Sequence, residues 1–228
     1  MLFYGIDSTY LLLVLPAVLF AHWAQSNVQS TFKKYSKVSA GMTGYDSARA
    51  ILDANGLKHV RIERVAGNLT DHFDPKANVI RLSQSVHDAT TAAAIGVAAH
   101  EAGHAVQYAV GYTPMKFRGA IIPITNIGSN LAMPLILLGI LLSFPTLAYL
   151  GIAAFGLSTL FQLVTLPVEF NASGRAMDAL KSGGRLSGDE VTAAGRVLRA
   201  AALTYVAALA VSLANLLRFV SLVNRSRK

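Results

Sequence analysis

The sequence has no cysteine and few charged residues: Asp, Glu, Lys and Arg together make up 14% of its 228 residues. Without cysteine the chain forms no disulfide and holds no metal through thiolates, so any metal site must use histidine or carboxylate ligands. Hydrophobic residues make up 53% of the sequence and the mean hydropathy is +0.46, which indicates a membrane protein rather than a soluble domain. The net charge of +8 is then typical of membrane faces that contact anionic headgroups, and we expect no nucleic-acid partner.

Three runs without Lys, Arg, Asp or Glu predict four membrane spans. Residues 8–32 form the first, which we interpret as a retained span because it lacks the basic start and small-residue cleavage site of a signal peptide. Residues 119–168 are long enough for two spans, with a hairpin at 143–145. Residues 200–217 form the fourth span. The lipid bilayer is therefore an expected partner.

The segment between the first two runs reads as a small folded domain. Residues 44–55 have helical periodicity, and Gly56 is a suitable helix stop. Residues 60–65 and 79–82 alternate like strands, and the segment between them is rich in turn-forming residues. We therefore predict a helix followed by a β-hairpin with a long polar loop.

Residues 100–104 read His-Glu-Ala-Gly-His, and alanine-rich flanks predict that this motif lies on a helix. Histidines four positions apart project from one helix face, where both can bind one metal ion. An imidazole pair suits Zn²⁺, which needs a third protein ligand and an open position for water. Glu101 could take a proton from that water as a general base. The alternative, two polar histidines in a core helix, is costly because two imidazoles and a carboxylate would be buried without a metal.

Glu169 is the favoured third ligand, because it is an acid at the end of a long apolar run and needs a partner there. The alternative is an interfacial ion pair with Arg175. Asp178 and Asp88 are the other candidates for the third ligand.

The polar loop contains a second possible metal or catalytic cluster, formed by Asp71, His72 and Asp74. Loop aspartates mostly make local turn hydrogen bonds, which is the competing interpretation. For His72 we keep the hypothesis of a catalytic contact, as an oxyanion donor.

Four stretches carry a resemblance to a known family: HEAGHAVQ, LTDHFDP, FQLVTLPVEFNAS and AAALTYVAAL. Together they resemble the YugP-type family of bacterial membrane neutral zinc metallopeptidases over nearly the whole chain. The resemblance implies a membrane-bound peptidase with one Zn²⁺, the ligands His100, His104 and Glu169, and Glu101 as general base. The core also resembles HtpX-type proteases, which carry a Glu-x-x-x-Asp motif whose Asp orients a histidine ligand. At the matching positions this chain has Glu169-Phe-Asn-Ala-Ser173, so Ser173 stands at the position of that Asp. Whether Ser173, Asn171 or Asp178 replaces that Asp is left open.

These observations predict an α+β membrane protein: a zincin-like catalytic core, with a small β-hairpin or sheet, the HExxH helix and a glutamate helix, and about four transmembrane helices. The expected segments are a first span (1–25), a catalytic domain (26–118), a transmembrane hairpin (119–168), a third-ligand helix (169–199) and a last span (200–223). In zincin-type proteases the substrate usually binds as a strand added to an edge strand beside the helix.

Basic residues near the spans favour a cytoplasmic catalytic face by the positive-inside rule, although the tail has Arg225, Arg227 and Lys228 on the other side. We therefore expect a multi-pass protein of the bacterial inner membrane that cleaves a peptide or membrane-protein substrate. One alternative is a site-2-type intramembrane protease, although that class needs an Asn-Pro-Asp-Gly-like segment that this sequence does not contain. The other alternative is a non-catalytic scaffold with a structural zinc. No pattern predicts a homo-oligomer or a partner subunit.

Overall fold

The computed structural model describes residues 7–226, and within them it contains seven α-helices and three β-strands. A π-helical turn at Tyr10–Val14 leads into the first helix. The elements are α1 (Leu15–Tyr35), α2 (Gly44–Ala54), β1 (Arg61–Val65), β2 (His72–Asp74), β3 (Val79–Ser83), α3 (Gln84–His87), α4 (Ala92–Ala109), α5 (Thr113–Leu141), α6 (Pro145–Ser182) and α7 (Gly188–Ser226). This composition confirms the predicted α+β membrane fold.

Among the residues that the structure describes, four helical segments are long and apolar enough to cross a membrane, as the uncharged runs predict. They are Tyr10–Tyr35, Thr113–Leu141, Pro145–Ser182 and Gly188–Arg225. The expected hairpin turn between α5 and α6 is present, and Ser143 adopts a positive φ of 52° within it. The helices are longer than the uncharged runs, however. The glutamate expected on a separate helix lies on α6, which continues beyond the apolar segment to Ser182.

The chain divides into two compact units. The first consists of the residues before 26, residues 117–166 and the residues after 203, and the second consists of residues 26–116 and 167–203. In the first unit, α5, α6 and α7 pack through a cluster of buried apolar residues, namely Ile136, Ala148, Ile152, Phe219 and Val223. The second unit contains the sheet and the HEAGH helix.

The sheet has the strand order β1-β3-β2, and this order corrects the predicted hairpin. Strand β1 pairs with β3 in parallel, so the segments at 60–65 and 79–82 are not the two arms of a hairpin. The loop between them contains the additional strand β2, which pairs with β3 in the antiparallel direction. The composition of the loop did not indicate this strand, because its first and last residues, His72 and Asp74, are polar and its neighbours are turn-forming residues. The hairpin in the protein is β2–β3, and β2 lies at the edge of the sheet.

The core of the second unit lies between α4, α2 and the sheet. Leu52 of α2, Ile80 and Leu82 of β3, and Ile95 of α4 each have 0% exposure. The helix predicted at 44–55 is confirmed, because Thr43 and Asp46 form a capping box at its start and Gly56 has a φ of +73° just after its end. Because α4 is packed on several sides, it provides a rigid support for its polar side chains.

Candidate metal centre

The HEAGH motif lies on α4, as predicted. The helix begins after Thr91, whose hydroxyl accepts a hydrogen bond from the backbone N–H of Ala94, and Gly111 with a φ of +67° follows its end. The helical spacing places His100 and His104 on the same face, with their ring centroids 4.6 Å apart. The two imidazoles therefore point toward one position beside the helix.

The carboxylate of Glu169 lies at that position. Its Oε2 is 3.2 Å from the Nε2 of His100 and 3.6 Å from the Nε2 of His104. Taking one ligand atom from each of these three residues, all the atoms lie within 4.8 Å of one another. The structure thus brings together the two histidines and the glutamate that sequence reasoning selected.

These separations fit a zinc ion. Ligands about 2.0–2.2 Å from Zn²⁺ in tetrahedral geometry are about 3.4 Å apart, which lies between these two distances. The donor set of two imidazoles and one carboxylate is one of those used by catalytic zinc sites, and it leaves a fourth position for water. The side chains are also sheltered, with exposed fractions of 14% for His100, 10% for His104 and 3% for Glu169.

The charge around His104 also favours a cation. Burial lowers the pKa of His104, but the carboxylates of Glu169 and Glu101 and the contact with Gln107 outweigh that effect, so the pKa is raised above its usual value. A field that stabilises a proton on this imidazole also stabilises a divalent metal ion in the same place.

Helices α4 and α6 approach each other closely at this site. A Cβ atom added at Gly103 would lie 2.5 Å from the carbonyl oxygen of Ala172, so only glycine fits at that position. Gly103 directly precedes one histidine, and Ala172 is three residues after Glu169. The glycine inside the motif therefore allows the helix with the carboxylate to reach the helix with the imidazoles.

Both imidazoles have a hydrogen-bond partner on the ring nitrogen that faces away from Glu169. The Nδ1 of His104 is 2.9 Å from the Oε1 of Gln107, and the Nδ1 of His100 is 3.1 Å from the Oγ of Ser173. Ser173, one of the three residues considered as a replacement for the missing Asp, is thus the partner of His100. Sequence reasoning missed Gln107, although a glutamine three positions after a histidine on an apolar helix was an available signal.

Glu101 lies on α4 beside the first histidine and is largely buried, with 8% exposure. The negative charge of Glu101 acts on both Asp71 and His104. Asp71 is itself partly buried, and its carboxylate accepts hydrogen bonds from the backbone N–H and the hydroxyl of Ser83. Burial raises the pKa of Asp71, the hydrogen bonds from Ser83 oppose this, and the charge of Glu101 adds to the increase.

The other two residues of the predicted loop cluster lie on β2. The Nδ1 of His72 is 2.8 Å from the carbonyl oxygen of Thr70, and its Nε2 is 3.5 Å from Arg81. Asp74 accepts hydrogen bonds from the backbone N–H of Ala77 and from Arg81, which lower its pKa. Asp74 therefore stabilises a turn and an ion pair. The catalytic role of His72 stays a prediction.

The other candidates for the third ligand lie elsewhere in the second unit. Asp88 forms a bidentate ion pair with Arg64, and the hydrogen bonds from Arg64 and His87 lower its pKa to about 2. Asp178 lies more than two helical turns beyond Glu169 on α6, where it lines a separate cavity. Neither belongs to the group of three residues that could hold a metal ion in the described part of the chain.

Comparison with known proteins identifies the family. Residues 10–224 match the family described as "Putative neutral zinc metallopeptidase". The chain belongs to this family. It is also similar to the "Putative membrane protease YugP" of Bacillus subtilis (strain 168), with 47% identity over 220 residues that cover 96% of this chain and 98% of the relative.

The description of this family implies zinc, which is a metal that the donor set fits. The name of the relative, a membrane protease, agrees with the four apolar helices found among the described residues. The match also confirms the resemblance drawn from the four sequence stretches. No solved structure matches the chain.

Proposed function

We propose that the protein is a membrane-bound zinc-dependent endopeptidase in which His100, His104 and Glu169 hold one Zn²⁺ and Glu101 is the general base. The observation that carries this proposal is the convergence of three ligand atoms, from two helices, within 4.8 Å of one another. Such a donor set leaves one coordination position for water and substrate, as hydrolytic zinc sites require.

When bound, zinc supplies Lewis-acid polarisation of the scissile carbonyl and lowers the pKa of the attacking water. Glu101 accepts the proton of that water as it attacks the carbonyl carbon, and then donates the proton to the nitrogen of the leaving amine. Glu101 directly follows His100 on α4 and lies outside the group of three ligand residues, so we assign its carboxylate to the water rather than to the metal. The shelter around it favours proton transfer to the substrate over exchange with bulk water.

We propose that the substrate binds in an extended conformation along β2. Within the described residues β2 pairs with β3 alone, so its other edge is free to accept an added strand. The rings of Phe73 on β2 and Tyr108 on α4 lie 6.0 Å apart, which ties this edge to the HEAGH helix. Tyr108 and Val110 are 49% and 61% exposed, and they provide apolar surface for a peptide or for a segment of a membrane protein.

The direct test of the metal site compares the wild-type protein with His100→Ala and His104→Ala. Purified wild-type protein should contain about one zinc per chain and cleave an unfolded protein substrate in a chelator-sensitive manner. Each variant should lose both the zinc and the activity, because two ligands do not hold the metal. Stoichiometric zinc in either variant would show that the ligands are misassigned.

We further propose that the protein is a multi-pass protein of the bacterial inner membrane with its catalytic face in the cytoplasm. The support is the excess of Lys and Arg near the spans on the catalytic side. Because the chain has no cysteine, a single cysteine introduced as Ser182→Cys reports the location of the α6 end alone. An impermeant thiol reagent should leave it unlabelled in intact cells and label it after lysis. Labelling in intact cells would place the catalytic face outside.

A further inference from the structure

The side chain of Gln107 is fully buried, with 0% exposure, and lies between α4 and α6. Its Oε1 is 2.9 Å from the Nδ1 of His104. Its Nε2 donates hydrogen bonds to the carbonyl oxygen of Val168 at 2.8 Å and to the Oδ1 of Asn171 at 3.0 Å. Every polar atom of this buried amide therefore has a partner, as buried polar groups require.

The orientation of the amide is fixed at two points that do not depend on the histidine. The carbonyl of Val168 has no proton and can only accept a hydrogen bond, so it must face the NH₂ group of Gln107. Arg175 has donors only, and its Nε lies 2.8 Å from the Oδ1 of Asn171, so the oxygen of Asn171 also faces that NH₂ group. The atom that remains to face His104 is the oxygen of the amide.

An amide oxygen can only accept, so the Nδ1 of His104 must carry a proton. In the neutral imidazole the lone pair then lies on Nε2, the atom 3.6 Å from Glu169. We infer that Gln107 is a positioning residue, which holds His104 with its proton on Nδ1 and with Nε2 directed at the metal position. Metal binding then requires neither a change of tautomer nor a rotation of the ring.

His100 has a weaker constraint of this kind. Its Nδ1 lies 3.1 Å from the hydroxyl of Ser173, and a hydroxyl can donate or accept. Ser173 therefore holds the ring in place but leaves both tautomers available. The two histidines of the site differ in this respect, and the difference gives a specific expectation: loss of Gln107 should cost more zinc affinity than loss of Ser173.

This inference rests on the proposed function, because it assigns a role toward the metal. The test measures zinc affinity by competition with a coloured chelator for the wild-type protein, Gln107→Met, Ser173→Ala and Asn171→Ala. Methionine matches the length of glutamine and fills its space without supplying an acceptor. Asn171→Ala is the matched control, because it removes a neighbouring hydrogen bond of the same buried amide but leaves the Val168 carbonyl to orient it.

Gln107→Met should weaken zinc binding by about 10–100-fold, the usual effect of losing a partner of a metal-bound histidine. Ser173→Ala should lose less, and Asn171→Ala should stay close to the wild-type affinity. Equal losses in Gln107→Met and Asn171→Ala would indicate a packing role only and overturn the inference. Unchanged affinity in Gln107→Met would also overturn it.

A second measurement does not depend on any variant being folded. In metal-free wild-type protein labelled with ¹⁵N-histidine, at a pH high enough for a neutral imidazole, NMR should show His104 with a slowly exchanging proton on Nδ1, protected by its buried acceptor. A proton on Nε2, or rapid exchange at Nδ1, would overturn the inference while leaving the zinc site intact. Absence of zinc from the wild-type protein would instead refute the proposed function.

Discussion

The Nε2 of His100 lies 3.2 Å from the Oε2 of Glu169, although the two residues are 69 positions apart in the sequence. Two apolar helical segments separate them, and the return of the chain along α6 brings the carboxylate to α4. A buried carboxylate is costly to desolvate unless a positive charge compensates it. In the proposed site, a zinc ion shared with the two histidines would supply that charge and would account for an acid at the end of an apolar run.

Replacing Glu169 with glutamine should weaken zinc binding by orders of magnitude and abolish hydrolysis. The variant keeps the size of the side chain but replaces the negatively charged carboxylate with a neutral amide. The amide oxygen is a weaker zinc ligand than the carboxylate oxygen. Asp178→Asn is the matched control on the same helix, and it should have a mild effect because Asp178 lies outside the group of three ligands. Metal content after dialysis against a mild chelator measures both. Zinc lost from Asp178→Asn and kept by Glu169→Gln would reverse the assignment.

Replacing Gly103 with alanine should weaken both zinc binding and stability. The new Cβ would lie 2.5 Å from the carbonyl oxygen of Ala172 and would force α4 away from α6. Overpacking of this kind costs about 1–3 kcal/mol, and it moves the histidines relative to Glu169. Gly174→Ala on α6 is the control, because nothing lies within 4 Å of its added Cβ. The control should be neutral or stabilising by up to about 1 kcal/mol.

The measurements for the glycine pair are thermal unfolding of the metal-free proteins and zinc affinity. Because Gly103→Ala changes the spacing between α4 and α6, it should lower both the melting temperature and the zinc affinity. Wild-type zinc affinity in Gly103→Ala would show that the site tolerates a wider spacing.

Replacing His72 with alanine should lower kcat with little effect on zinc binding, if the imidazole donates a hydrogen bond in the transition state. The side chain is exposed on the edge strand and is held by Thr70, so its loss leaves the core untouched. His59→Ala, which removes an exposed histidine from another loop, is the control. Steady-state kinetics separate the two interpretations. Wild-type kinetics with only a lower melting temperature would make His72 a turn residue.

The stability of the metal-free protein should depend on the charge of Asp71. Its pKa is raised, chiefly by burial, so the folded state binds this proton more tightly than the unfolded state. The stabilising contribution is therefore complete below the ordinary pKa of about 4 and is lost as the pH rises through the raised pKa. Asp71→Asn does not titrate. Relative to wild type, the variant should thus gain in melting temperature as the pH rises from acidic to neutral. A relative loss over that range would mean that the pKa of Asp71 is lowered.

The features that could be predicted are those that leave a pattern within one short stretch of sequence. The HEAGH helix follows from histidine spacing and alanine-rich flanks, and Glu169 follows from the cost of an acid at the end of an apolar run. The four spans follow from the absence of charge over lengths that match a bilayer. Each of these inferences needs only local composition or periodicity.

The parts that could not be predicted depend on contacts between distant segments. Strand β2 is three residues long, too short for a period of two to be visible, so the parallel pairing of β1 with β3 was missed. The roles of Gln107 and Ser173 arise only where α4 meets α6. The length of α6 was also hidden, because charged residues mark where an apolar segment ends and not where a helix ends.

The central claim is that Glu101 works as a base beside a zinc held by three other residues, and Glu101→Gln tests it most directly. Zinc content and peptidase activity of this variant should be measured on the same preparation as the wild-type protein. The variant should keep about one zinc per chain and the wild-type melting temperature, while hydrolysis falls to background, because the ligands are kept and the base is lost. Loss of the zinc would make Glu101 a ligand, and retained hydrolysis would show that another group takes the proton; either result would contradict the account.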